Sequence, residues 1–107
     1  MVIERYDVFL VVLDPTVGHE IKKTRPCLVL SATHTNSILS TIIIAPMTTK
    51  SQPHPSRIET FFGGKTARII LEQIRSIDKS RLVKRIGSIE LSDIQKVKSA
   101  LHEMLVA

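Results

Sequence analysis

The sequence is poor in cysteine and in aromatic residues. It has one cysteine and no tryptophan, and aromatic residues make up 4% of its 107 positions. A single thiol excludes an internal disulfide and a cysteine zinc site within one chain, and so few aromatic rings argue against base-stacking platforms for nucleic acid. Because Cys27 stands in an apolar run, we expect it to be a buried small hydrophobic residue.

Glycine is also scarce, and histidine is scattered. The four glycines, at positions 18, 63, 64 and 87, do not form a phosphate-binding glycine loop. The histidines do not have the spacing of metal ligands, and no serine nucleophile elbow is present. The sequence therefore predicts no metal and no cofactor. The histidines are His19, His34, His54 and His102.

Long hydrophobic runs are missing as well. The apolar stretches are far below membrane-spanning length, and the first residues do not resemble a signal peptide because polar Tyr6 and Asp7 follow at once. We therefore expect a cytoplasmic protein without a membrane partner. With 107 residues and 43% hydrophobic content, we expect one domain over residues 1–107 with one modest core.

Positive charge exceeds negative charge. Fifteen lysines and arginines against ten acidic residues give a net charge of +5. This balance fits a polyanionic partner, although a solvated basic face is the alternative. The basic residues concentrate around residues 22–25 and in the last third of the chain, at Arg75, Lys79, Arg81, Lys84 and Arg85.

Short β-type runs predominate along the chain. Residues 8–13 form a continuous apolar segment, typical of a strand buried on both faces. Further strands are predicted at residues 26–31, 38–45, 57–62, 66–71, 74–77 and 83–86. Asn36 and Ser37 predict a turn between the second and third strands, Gly63 and Gly64 a tight hairpin, and residues 48–56 a mobile loop.

The hydrophobic period changes to that of a helix at the C-terminus. Ile94, Val97, Leu101 and Leu105 fall on one helical face, and residues 92–95 fit a capping box. We expect this helix to cover one end of a sheet. Many short strands followed by one helix predict a mainly β fold with a C-terminal α-helix, built as a small antiparallel β-barrel with the helix packed on it.

The strongest functional signal lies in residues 14–25. His19 and Glu20 are followed by Arg25 at the start of an apolar strand, where packing needs no arginine. Attack of an RNA 2′-hydroxyl on its own phosphate needs a base, an acid and a cation, which these groups supply. Thr48 and Thr49 are possible additional hydrogen-bond donors. The alternatives are a surface charge at Arg25 and loop-ordering roles for His19 and Glu20.

Five segments in a fixed order carry a family resemblance. They are residues 6–8 (Tyr-Asp-Val), 14–20 (Asp-Pro-Thr-Val-Gly-His-Glu), 24–31 (Thr-Arg-Pro-Cys-Leu-Val-Leu-Ser), 45–49 (Ala-Pro-Met-Thr-Thr) and 71–78 (Leu-Glu-Gln-Ile-Arg-Ser-Ile-Asp). Together they resemble the MazF/PemK family of mRNA interferase toxins from type II toxin–antitoxin systems. The segments span nearly the whole chain, which makes the ordered set specific.

The resemblance implies an SH3-like, MazF/CcdB-like barrel, a homodimer and a metal-independent, sequence-specific endoribonuclease. Such an enzyme cleaves single-stranded RNA to a 2′,3′-cyclic phosphate and a 5′-hydroxyl. Arg25 falls on the family's catalytic arginine and Thr48 on its active-site threonine. Glu20 falls on the loop glutamate implicated as base in some members, and His19 matches PemK-like members. The implied partner is a cognate antitoxin with an acidic disordered tail.

The chain also departs from the family pattern. PemK-like members have a late aspartate as base and an arginine two positions earlier as acid, and this chain has Glu72 and Ile70 there. That acid assignment therefore does not carry over. Single-stranded RNA is read at exposed base edges, so RNA binding is assigned mainly to loop positions. The assigned residues are Lys22, Lys23, Thr49, Lys50, Arg57, Glu72 and Gln73.

Two other functions fit the same barrel. A CcdB-like toxin would bind DNA gyrase and cleave nothing, and a catalytically inactive member would act as an antitoxin-binding or RNA-binding module. Arg25 and Thr48 together favour the nuclease.

Overall fold

A computed structural model describes residues 1–13 and 23–107 of the chain. Within these residues the chain forms seven β-strands, two α-helices and two short 3-10 turns. The strands are β1 (Asp7–Leu13), β2 (Lys23–Val29), β3 (Thr41–Thr48), β4 (Arg57–Phe62), β5 (Lys65–Ile70), β6 (Arg75–Asp78) and β7 (Leu82–Ser88). The helices are α1 (Thr33–Ile38) and α2 (Leu91–Leu105), and the 3-10 turns are Leu71–Gln73 and Lys79–Arg81.

Strand β3 belongs to two parts of the antiparallel sheet. One edge of β3 pairs with β2, and the other edge pairs first with β6 and then, through Met47 and Thr48, with β5. On the far side of β2 lies β1, which pairs with β7 from Asp7 opposite Ser88 onward. Since β6 leads through one short turn into β7, strands β7, β1, β2, β3 and β6 curve into an SH3-like barrel.

Two hydrophobic cores lie on opposite faces of the barrel strands. The inner core contains Ile3, Phe9, Val11, Leu13, Cys27, Val29, Ile42, Ile44 and Ile77. The outer core packs the other face of these strands against the β4–β5 hairpin and α2, through Val8, Leu28, Ala45, Met47, Ala67, Ile69, Leu71 and Val97 among others. Strand β1 contributes to both cores, because successive side chains point to opposite faces. The prediction of a two-sided buried strand is confirmed, apart from the half-exposed end at Val12.

The predicted turn at Asn36 was wrong, because residues 33–38 form helix α1. The buried Asn36 amide donates to the carbonyl oxygens of Ile3 and Ser31, and the Ser31 hydroxyl donates to Asn36 Oδ1 at 2.6 Å. These bonds hold α1 against the N-terminal segment. The helix displaces the third strand, predicted at residues 38–45, to Thr41–Thr48, so Thr48 ends a strand and does not open a loop.

The β4–β5 hairpin is confirmed. Phe62 pairs with Lys65 across the turn, and Gly63 and Gly64 have φ values of 61° and 78°. This positive-φ conformation is the one that glycine adopts without a steric penalty.

The C-terminal helix is confirmed, but its predicted capping box is wrong. The N-cap is Glu90, two residues before the predicted cap at Ser92, and it makes no side-chain cap. Asp93 instead accepts a 2.7 Å hydrogen bond from the Thr60 hydroxyl of β4. Val97 is buried as expected, whereas Leu105 is 63% exposed. In the described part of the chain, no helix has the length and apolar character needed to cross a membrane.

Candidate active site

Arg25 and Thr48 come together through strand register. The β2–β3 ladder pairs Cys27 with Pro46, and two more residues along the same register place Arg25 opposite Thr48. Side chains alternate along a strand, so counting in twos from the inner-core residues Val29 and Ile44 puts both on the inner-core face. The pair therefore lies near the start of β2 and at the end of β3, next to Met47 and Ala67 of the outer core as well.

An open cavity of about 310 Å³ lies beside this pair. Arg25, Thr48 and the exposed Thr49 line it together with residues from β2, β3 and the β4–β5 hairpin. The hairpin contributes Phe62 and Lys65, an apolar ring and a cation. Neither residue was selected from the sequence, although both flank the Gly63–Gly64 turn that was predicted there. The remaining lining residues are Pro26, Met47, Gly63 and Ala67.

The polar groups at the cavity have donors to spare. Thr48 Oγ1 accepts a 3.1 Å hydrogen bond from the backbone N–H of Lys50, which leaves its own O–H able to donate. Arg25 is exposed, and no acceptor for its guanidinium occurs among residues 1–13 and 23–107. A guanidinium and a hydroxyl with free donors are suited to bind the oxygens of an anion.

In a second polar cluster the charged side chains are paired with each other. Glu72 Oε1 accepts a 2.7 Å hydrogen bond from Ser56, and Glu72 Oε2 accepts bonds of 2.9 and 2.6 Å from Arg57 Nε and Nη2. Arg57 Nη1 donates to the Gln52 carbonyl, and His54 Nδ1 lies 2.7 Å from Ser56 Oγ. Arg57 and Glu72 are thus engaged with each other, and their role in RNA binding stays a prediction.

The ion pair shifts the ionisation of Glu72. Partial burial of the carboxylate would raise its pKa, but the hydrogen bonds from Arg57 and Ser56 outweigh burial and hold the pKa of Glu72 below its usual value. The hydrogen bond to Glu72 likewise raises the pKa of Arg57. Glu72 therefore stays a carboxylate at neutral pH, which makes it a hydrogen-bond acceptor and a poor general acid.

The other selected residues are spread more widely. Lys23 is exposed at the start of β2 with a φ of 67°, and Lys50 is exposed just beyond β3. Gln73 ends the 3-10 turn that leads into β6 and has an interaction partner. Their roles in RNA binding stay predictions. His19, Glu20 and Lys22 lie outside the described residues.

Cys27 behaves as predicted, as a buried hydrophobic residue. Burial raises the pKa of its thiol to about 12, although the positive charge of Arg75 partly opposes this effect. Its Sγ donates a weak 3.6 Å hydrogen bond to the Arg25 carbonyl. At neutral pH the side chain is a thiol, which is a poor nucleophile and a poor metal ligand.

Comparison with known proteins gives this site a family. The family model described as "PemK-like, MazF-like toxin of type II toxin-antitoxin system" matches residues 4–105. The chain belongs to this family. A curated relative, Endoribonuclease EndoA of Bacillus subtilis (strain 168), is 35% identical over 108 residues, which cover 95% of this chain and 93% of the relative.

Solved structures confirm the predicted MazF-like fold. MazF (Form-I) from Deinococcus radiodurans superposes with a TM-score of 0.87 at 22% identity, covering 100% of this chain and 99% of that one. MazE-MazF (Form-II) from the same organism gives 0.81 at 22% identity, covering 98% and 96%. An endoribonuclease in complex with its cognate antitoxin, from Mycobacterial species, gives 0.77 at 18% identity, covering 95% and 93%.

The described part of this MazF-like chain offers no evident metal site. Within residues 1–13 and 23–107, no three histidine, cysteine, aspartate or glutamate side chains group closely enough to hold a metal ion. The donors near Arg25 and Thr48 are cationic or neutral, and such groups bind anions in preference to metal cations.

Proposed function

We propose that this MazF-like endoribonuclease cleaves single-stranded RNA at specific sequences. A 2′-hydroxyl of the RNA attacks the adjacent phosphate, and the products carry a 2′,3′-cyclic phosphate and a 5′-hydroxyl. Family membership and the relative Endoribonuclease EndoA support the activity. The observation that carries the proposal is the Arg25 guanidinium, which has no acceptor in the described part of the chain and lines the same cavity as the Thr48 hydroxyl.

Arg25 and Thr48 act on the phosphate. Negative charge accumulates on the non-bridging oxygens as the 2′-oxygen bonds to phosphorus, and Arg25 stabilises that charge because a guanidinium stays protonated at any working pH. Thr48 donates its hydroxyl hydrogen bond to the same phosphate. Both interactions strengthen as the transition state forms, so they lower the barrier and not only the dissociation constant.

Two proton transfers complete the reaction. Glu20 or His19 takes the proton from the 2′-hydroxyl, and the bond from phosphorus to the 5′-oxygen breaks as that oxygen receives a proton. Arg25 is the candidate donor of the second proton. Since these groups supply the base, the acid and the cation, the reaction needs no metal ion.

The proposed partners follow from charge and family. MazE-MazF structures and an endoribonuclease bound to its cognate antitoxin are among the structural neighbours. We propose that this chain is a homodimer inhibited by an antitoxin with an acidic disordered tail. The net charge of +5 would favour such a tail, which would order on binding.

Cleavage of a long RNA in EDTA tests the proposal. We expect defined cuts without metal, with cyclic phosphate and 5′-hydroxyl ends identified by mass spectrometry. Arg25→Ala should reduce the cleavage rate by at least about 100-fold, as expected when one donor to a developing oxyanion is removed. Lys98→Gln, at an exposed position on α2, is the charge-matched control and should cleave normally.

Each rival function has its own outcome in these assays. A protein that cuts no RNA but inhibits gyrase acts as a CcdB-like toxin, and one that binds RNA without cutting is an inactive module. If Arg25→Ala folds by circular dichroism and cleaves at the wild-type rate, the assignment of Arg25 is wrong.

A further inference from the structure

Two of the arginines differ from the others in their hydrogen bonding. Of the seven arginines in the sequence, only Arg25 and Arg75 have no acceptor for their guanidinium groups within the described ranges 1–13 and 23–107. The remaining arginines donate to Leu30 (Arg5), Glu72 (Arg57), Glu59 and Ser51 (Arg68), Val12 (Arg81) and Asp7 (Arg85). Arg75 was noted in the sequence as one of several basic residues in the last third of the chain and as part of the family-like segment 71–78, but it was not assigned to the site.

Arg75 shares a face of the sheet with the candidate active site. It opens β6 directly opposite Ile44 of β3, and Ile44 in turn pairs with Val29 of β2. Because directly paired residues project to the same face, the Arg75 side chain lies on the inner-core side with Ile44 and Ile77. Arg25 and Thr48 lie on the same side, because side chains alternate along β2 and β3.

The surroundings of Arg75 are only partly solvated. Its side chain is half-buried, and its charge influences the ionisation of the buried Cys27 thiol. Half-buried Arg57 and Arg68 each meet a carboxylate. A guanidinium that is partly removed from water and has no acceptor keeps unused hydrogen-bonding capacity, which an anionic ligand can take up.

We infer that Arg75 binds a second phosphate of the RNA substrate, next to the phosphate held by Arg25 and Thr48. This inference rests on the proposed ribonuclease function. Arg25 and Arg75 lie on opposite sides of β3 and four residues apart in register, so strand spacing and rise separate their Cα atoms by about 16 Å. That separation favours two phosphates of one strand over a single shared phosphate.

The salt dependence of RNA binding tests the inference. The probe is a mixed-sequence RNA carrying 2′-O-methyl groups throughout, because it lacks the hydroxyl nucleophile and is not cleaved. The slope of log K against log salt is negative, and each lost phosphate contact lowers its magnitude by about 0.7 for single strands. Fluorescence polarisation across a salt series should show this decrease for Arg75→Gln, and Lys98→Gln should keep the wild-type slope.

A merely structural role for Arg75 would leave the slope unchanged. Arg75→Lys separates the two cases, because lysine keeps the charge but loses the bidentate geometry of arginine. We expect it to retain the slope with several-fold weaker binding. If circular dichroism shows that Arg75→Gln does not fold, Arg75→Lys alone tests the inference. Weaker RNA binding with the salt slope retained supports the inference, and wild-type affinity overturns it.

The outcomes also separate this inference from the proposed function. If the wild-type protein cleaves RNA and Arg75→Gln keeps the wild-type slope and affinity, only the inference fails. If the wild-type protein cuts no RNA, the proposed function fails and the inference fails with it.

Discussion

The two polar clusters of this toxin contain similar side chains that differ in whether they have hydrogen-bond partners within the described residues. In the closed cluster, Ser56 and Arg57 both donate hydrogen bonds to Glu72 and tie the segment after β3 to the turn before β6. In the open cluster, Arg25, Thr48 and Arg75 have donors to which the described residues offer no acceptor. The first cluster pairs its charges, whereas two positive charges of the second have no acidic partner among residues 1–13 and 23–107. Similar groups thus support the fold in one place and are available to a ligand in the other.

Of the differences expected between the two clusters, the largest is in catalysis, from Thr48→Val in the open cluster. Valine is close in shape to threonine but cannot donate to the phosphate, so the cleavage rate should fall by about 100-fold. The melting temperature should change little, because the lost Oγ1 accepts only one exposed backbone N–H. Gel-based cleavage rates and thermal melts measure the two effects. A variant that melts early and cleaves at the normal rate would contradict the assignment.

The next largest effect is on stability, from a threonine-to-valine substitution at Thr60, whose hydroxyl has a hydrogen-bond partner. The buried Thr60 hydroxyl donates to Asp93 and connects β4 to α2. Thr60→Val leaves the Asp93 carboxylate without this donor, so the free energy of unfolding should fall by about 1–3 kcal/mol. Urea titration measures the loss. RNA cleavage well below the melting temperature should stay normal, and a strong loss of activity there would break the distinction between the clusters.

The smallest effect concerns pH and the closed cluster. The pKa of Glu72 is lower in the folded chain than its usual value, so the ionised carboxylate stabilises the fold above the unfolded pKa. This contribution is lost as the pH falls from about 5 through the folded pKa. Glu72→Gln should therefore be less stable than wild type at pH 7, and the difference should shrink at pH 3.5. Urea unfolding at both pH values checks this, and a difference that grows in acid would contradict it.

Local patterns predicted the elements whose cause is local. The apolar run of β1, the Gly63–Gly64 turn and the period of α2 all depend on residues close in sequence. Helix α1 was missed because Asn36 is held by the carbonyl of Ile3, which lies 33 residues away. The predicted capping box failed because α2 begins at Leu91, which places Ser92 inside the helix and not at its N-cap.

In the candidate site, too, some features could be predicted from the local sequence and others depend on contacts between distant residues. Arg25 and Thr48 could be selected from motif and residue chemistry, and strand register then explained why they are neighbours. The pairing of Arg57 with Glu72 joins residues 15 positions apart, so their sequence alone gave no sign that each satisfies the other. Arg75 could not be selected because its distinguishing property is the lack of an acceptor, which only the folded arrangement reveals.

The pairing of β1 with β7 has a consequence for the order of folding. Asp7 lies opposite Ser88, so a strand near the start of the chain needs a partner that follows more than 80 residues later. A nascent chain cannot complete the barrel until residue 88 has left the ribosome, and contacts so distant in sequence slow folding. Until then β1 has an unpaired edge, and the time between synthesis of β1 and of β7 is the period in which the chain is most exposed to aggregation.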